Sequence, residues 1–160
     1  MVPRIETLIA KKLIGKRMTM TFSNDKTFEL WSSFMPLKKE INNVVNTDLF
    51  SLQIYPPGFF DSFNPTMTFE KWAAVEVNDF NSVPGDFLTL NLPGGLYAIF
   101  PYKGLPAEAA GTFQFIFGTW IPNSGYSLDN RPHFEILGEK YKPDDPNSEE
   151  EIWIPIKPKI

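Results

Sequence analysis

The sequence predicts an α+β fold: two β-α-β-β units forming one antiparallel sheet, with both helices on one face, a ligand cleft on the other, and a pseudo-twofold relation between the units. Two observations carry this expectation. First, the chain repeats itself. Lys26–Pro36 is answered by Ala110–Pro122, which aligns Phe34-Met35-Pro36 with Trp120-Ile121-Pro122. Leu52-Gln53-Ile54-Tyr55 matches Phe134-Glu135-Ile136-Leu137, and Phe69–Val75 matches Glu150–Ile156, each around a tryptophan. Gln53 precedes Trp72 by 19 positions (72 − 53) and Glu135 precedes Trp153 by 18 (153 − 135), so two landmarks keep their register. Second, each unit runs from an extended apolar stretch into a one-sided helical pattern and then into two short strands. The units cover about 3–80 and 83–158 of one domain, 1–160.

The elements follow in order. Residues 3–22 read as a first strand, bent or bulged at Gly15. Ser23-Asn24-Asp25 offers a helix N-cap, and Leu30, Phe34, Leu37 and Ile41 recur at helical spacing, with a kink or restart expected at Pro36. Strands near 49–55 and 67–77 flank the loop Pro56–Asp61. The second unit follows Asn81–Gly85. Its first strand, about 86–102, is broken at Pro93-Gly94-Gly95, its helix covers roughly 105–119 toward Pro122, and a turn at Asn123–Tyr126 leads to a strand at 132–138. The acidic stretch Pro143–Glu149, with Glu150 and Glu151, reads as a solvated loop before the last strand.

Composition narrows the function. A length of 160 residues suits one domain with a substantial core. A net charge of −4 without a basic run argues against direct nucleic-acid binding. The absence of cysteine removes thiolate and disulfide chemistry, and no apolar stretch has the roughly 20 residues that span a bilayer. No signal-peptide segment is evident at the N-terminus, so the expected location is the cytoplasm. A single histidine, His133, gives no zinc set and, without a nucleophile elbow, no triad; it is expected at the surface. No cofactor and no metal are expected. What asks for a use is the aromatic load, 15 Phe, 5 Tyr and 4 Trp.

Strand alternation places the cleft. Leu52, Ile54, Ala73, Val75, Phe134, Ile136, Ile152, Ile154 and Ile156 fall on one parity and are expected against the helices. Gln53, Tyr55, Glu70, Trp72, Glu76, His133, Glu135, Glu151 and Trp153 fall on the other, an aromatic and acidic face suited to a concave ligand site or a subunit interface. Trp31, Phe34, Phe117 and Trp120 lie at helix spacing and read as core, with Trp31 and Trp120 within reach of the cleft end.

The pattern Leu30-Trp31-x-x-Phe34, then Gly125-Tyr126 leading to Phe134-Glu135, and the closing Glu151–Ile156 resembles the GyrI-like small-molecule-binding family, also found as the effector-binding domain of AraC-type and MerR-type regulators. The resemblance covers essentially the whole chain. It implies two β-α-β-β units around a hydrophobic cleft that accepts flat, lipophilic, often cationic compounds beside an acidic residue, here Glu135. Leu137 stands where relatives often carry a tyrosine. Regulators of the family carry a helix-turn-helix ahead of the domain, and none is expected within these 160 residues.

Glu135 among rings should have a raised pKa until a bound cation restores its charge, and aromatic faces add cation–π attraction. The ligand-binding set is therefore Glu135, Trp72, Trp153, Tyr55, Gln53, Trp31, Trp120 and Tyr102. A bland alternative pairs Glu135 with Arg131 or a neighbouring lysine as a surface ion pair. The expected function is stand-alone binding of a hydrophobic or cationic small molecule, for sequestration or for sensing through a partner. Two alternatives stay open. One is a hydrolase of strained alkylating rings with Glu135 as its catalytic group, which the resemblance allows. The other is a protein-inhibiting module using Phe59, Phe60 and Phe63. A protein partner or a homodimer is compatible with either face.

Overall fold

A computed structural model describes residues 1–160. The chain forms β1 (Arg4–Leu8), β2 (Lys11–Met20), α1 (Thr27–Phe34), β3 (Leu49–Ile54), β4 (Phe69–Val77), β5 (Leu88–Leu92), β6 (Gly95–Lys103), α2 (Ala110–Phe115), a π-helical segment Ile116–Trp120 running into α3 (Ile121–Asn123), β7 (Tyr126–Leu128), β8 (His133–Leu137) and β9 (Glu149–Pro158). All pairings are antiparallel, and the path across the sheet is β1-β6-β9-β8-β3-β4-β2-β5, with β7 beside β9. The succession β-α-β-β occurs twice, as β2-α1-β3-β4 and β6-α2-β8-β9. The central ladder sets Leu52 opposite Phe134; on their outer sides Leu52 faces Trp72 and Phe134 faces Trp153. No helix is long and apolar enough to cross a membrane.

The expected first strand is two strands with different neighbours. β1 pairs only with β6 and β2 lies between β4 and β5, although only Ile9 and Ala10 separate them in sequence. Along the sheet path β1 and β2 are six strand spacings apart, roughly 29 Å if the sheet were flat at about 4.8 Å per strand. Three Cα steps from Leu8 to Lys11 reach only about 11 Å. The sheet must therefore curl until its ends meet. They meet where Gly94 crosses the β1–β2 link, so closely that a Cβ there would lie 2.6 Å from the Leu8 carbonyl oxygen. Gly15 is no bulge: the β2–β4 register runs unbroken from Lys12↔Val77 to Met20↔Phe69. It is glycine because a Cβ would press on the Ala73 carbonyl and on Ala74.

The curl fills the helix-free face with its own core. Leu8, Leu13 and Leu92 from the sheet ends close over Leu52, Trp72, Tyr97, Phe134 and Trp153. On the opposite face, α1 buries Leu30 and Phe34 against Ile14, Ala73 and Val75, while the second helical stretch buries Ile116 and Ile121 against Ala98, Phe100, Ile152 and Ile154. The alternation expected for β4 and β9 is as found. For the central strands β3 and β8 it is reversed: Leu52 and Phe134 belong to the helix-free core, and Gln53, Tyr55, His133 and Glu135 line the helix side. Apolar parity does not reveal the helix side when both faces of a sheet are buried.

The helices differ from expectation at their ends. α1 stops at Phe34, and a separate 3₁₀ turn, Lys38–Glu40, precedes buried Ile41. Asp25 does not occupy the N-cap position, but its carboxylate accepts the Thr27 N–H at 2.8 Å. The second helix runs past Pro122 because the π turn resets the hydrogen-bond register, placing the proline in the first turn of α3, where its missing N–H costs nothing. The acidic stretch is only partly loop, since Glu149–Glu151 open β9.

Candidate functional site

Between the two helix-side cores the helices stand apart and leave a cavity of about 960 Å³. Its floor is the centre of the sheet: Gln53 and Tyr55 from β3, Lys71 from β4, His133 and Glu135 from β8. One wall is the π-helical stretch, through Phe117 and Gly118 with Phe113 before them; the other is the start of α1 at Thr27 with Asp25 ahead of it. Phe22 and Phe63, 46% and 64% exposed, stand at the rim 5.8 Å apart. The cavity is thus on the helix-bearing face, not on the helix-free face that strand alternation suggested.

One end of the cavity is an aromatic box. Phe60 stacks on Phe117 at 5.0 Å and on His133 at 5.5 Å, and the Tyr55 ring meets His133 edge-on at 4.9 Å. Burial in this box pushes the His133 imidazole down to about 3, so it is neutral. The expected surface histidine is a buried wall residue, 6% exposed. Tyr55 is pushed up by burial and by Glu135 and stays a phenol.

Burial also pushes the Glu135 carboxyl up to about 7; Lys71 and the Gln53 amide pull it back, and Glu150 pushes further. Glu135 makes no ion pair. Arg131 is committed elsewhere: it donates to Asp129 at 2.7 Å and to the Leu96 carbonyl at 2.6 Å, and lies 4.7 Å from the Tyr97 ring centroid. Glu150, assigned from sequence to a solvated loop, is buried enough for desolvation to raise its pKa, against the pull of Lys71.

Of the residues expected in the site, the structure brings together Glu135, Tyr55 and Gln53. Trp72 and Trp153, 2% and 8% exposed, are on the other face in the closed core. Trp31 packs edge-on against Phe34 in the α1 core, Trp120 packs on Phe100 and Tyr126, and the Tyr102 hydroxyl donates to the Leu105 carbonyl. None of these five lines the cavity. Phe59 is buried, so the triad Phe59, Phe60 and Phe63 is not an external patch. Sequence reasoning missed Lys71, Phe113 and Phe117 as lining residues. Lys71 was legible: it shares the parity of Ala73 and Val75.

Residues 1–157 match the GyrI-like small-molecule-binding domain. The chain belongs to the GyrI-like family. A relative, the transcriptional regulator BrlR of Pseudomonas aeruginosa, is 27% identical over 154 residues, 96% of this chain and 54% of that protein; the chain thus spans about half the length of this curated relative. Among solved structures, SAV2435 bound to tetraphenylphosphonium superposes with a TM-score of 0.72 at 16% identity, over 98% of this chain and 94% of that one. The EcmrR C-terminal domain gives 0.72 at 15% identity, over 98% and 97%.

Proposed function

We propose that this GyrI-like chain binds hydrophobic, cationic aromatic molecules in the helix-side cavity, with Glu135 as the anionic partner and Tyr55, Phe60 and Phe117 as the surfaces on which rings stack. The observation that carries this is Glu135 itself: a carboxyl without an ion pair, on the floor of an aromatic-walled cavity of about 960 Å³. Desolvation makes its charge costly, and a bound cation removes that cost. The tetraphenylphosphonium held by SAV2435 supports the same ligand class. We assign the chain a sequestering role, or sensing in the cytoplasm through a partner that binds DNA.

Calorimetry tests this with tetraphenylphosphonium and the neutral triphenylphosphine oxide. Glu135→Gln should weaken the cation by about 1–3 kcal/mol and the neutral compound far less. Equal losses would remove Glu135 from recognition. Tryptophan quenching is the poorer readout, since no tryptophan lines the cavity. A carboxyl near pH 7 also suits a general base, so hydrolysis of a strained ring is the second reading. Fast turnover of a cyclopropane alkylator, abolished by Glu135→Gln with binding retained, would reverse this ranking.

A further inference from the structure

We propose that the cavity is bipolar and selects aromatic molecules that carry an anionic or strongly accepting group besides a cationic one, with Lys71 as the specificity-determining residue that takes the acceptor. This rests on the ligand-binding role proposed above and narrows its ligand class.

Lys71 is the one cationic side chain that lines the cavity, His133 being neutral. Its Nζ donates to Thr27 Oγ1 at 3.0 Å. Thr27 in turn donates its hydroxyl to Asp25 Oδ1 at 2.5 Å and its backbone N–H to the same oxygen at 2.8 Å. The threonine hydrogen is thus committed to Asp25 and its lone pair to Lys71, which anchors the ammonium at the α1 side of the cavity. Asp25 has its pKa lowered: burial pushes it up, but the Thr27 hydroxyl and amide and the Lys71 charge outweigh burial. No carboxylate lies within 4.0 Å of Lys71.

An ammonium has three donors and only one is used here, so two N–H groups are left for a ligand. A cation held in a mostly apolar cavity without a contacting counter-ion favours a guest that brings one. Glu135, on β8 and separated from β4 by β3, favours the opposite charge. A guest with a purely positive charge satisfies Glu135 and is opposed by Lys71. A zwitterionic aromatic satisfies both, with its ring system against Phe117 and Phe60.

The test uses the full chain and two dyes that share one xanthenylium ring system, a rhodamine free acid and its methyl ester, with binding measured by calorimetry at pH 8. We expect the free acid to bind more tightly than the ester by on the order of tenfold, the scale of a charge-assisted hydrogen bond. Lys71→Met should lower affinity for the free acid and raise it for the ester. Lys71→Arg should keep the preference for the free acid, which separates charge from any loss of fold. An ester that binds wild type as tightly as the free acid, or a Lys71→Met variant in which both dyes shift in the same direction, would overturn the proposal. Glu135-dependent ester binding with no such discrimination would overturn it alone; failure of both dyes to bind would overturn it together with the cavity's ligand-binding role.

Discussion

Gln53 and Glu135 lie diagonally across the central β3–β8 ladder, each one position beyond the Leu52–Phe134 pair, so an amide and a carboxyl share the cavity floor. They are also the positions that the internal repeat aligns. An amide can donate to a carboxylate or accept from a carboxylic acid, so Gln53 serves Glu135 in either protonation state.

The raised pKa of Glu135 makes stability depend on pH. Its folded value of about 7 lies above the unfolded value near 4.5, so the folded chain holds the proton more tightly. The stabilisation is complete below about pH 4.5 and is lost as pH rises through about 7. Glu135→Gln lacks this dependence, and its stability relative to wild type should rise by about 3 kcal/mol between acid and pH 8. Urea unfolding at several pH values checks this. His133 acts oppositely: its folded value of about 3 lies below 6.5, so its stabilisation is present above pH 6.5 and lost as pH falls toward 3. His133→Phe should flatten that acid limb.

Binding of a lipophilic cation should expel the Glu135 proton. Affinity should then rise by about tenfold between roughly pH 6 and pH 8, and the calorimetric heat at pH 6 should vary with the ionisation enthalpy of the buffer. A pH-independent affinity would detach the cation from Glu135.

Gly118 lines the cavity from the π turn, and a Cβ there would meet no atom within 4 Å. Gly118→Leu should leave stability unchanged or raise it by up to about 0.8 kcal/mol through helix propensity. It should also cut affinity for a large aromatic ligand by tenfold or more by occupying the ligand's space. Thermal melts and calorimetry on one preparation separate the two effects.

Gly15→Ala tests the opposite situation. The new methyl would collide with the backbone of β4 at Ala73 and Ala74, which cannot yield as a flexible side chain would. A loss of roughly 3 kcal/mol is expected, seen as a lower urea midpoint.

The repeat, the two helices and the paired tryptophans were legible because they are written as order and spacing. The matched segments of the repeat begin at Leu52 and Phe134 and carry Trp72 and Trp153, and the ladder of these four residues is in register. Which side of the sheet Leu52 and Phe134 face was not legible. That depends on the curl, which follows from β1 and β2 pairing with strands from opposite ends of the path. Nothing local in Ile9-Ala10 announces such a crossing. The curl took Trp72 and Trp153 into the closed core of the helix-free face, and Trp31 and Trp120 pack against the helix-side cores; Phe117 lines the cavity because a π turn shifts which residues of a helix share a face.

The exchange of β1 and β5 between the two halves sets the order in which the protein can assemble. As the chain leaves the ribosome, β1 has no partner until β6 is made, and the free edge of β2 waits for β5. The N-terminal half therefore remains an unsealed sheet until residue 103 has emerged, with Trp72 and Leu13 still uncovered. Most pairings join residues far apart in sequence, a topology that folds slowly. Two fragments divided near Pro84 should each be unstructured alone and should fold when mixed, since each supplies the edge strand that the other lacks.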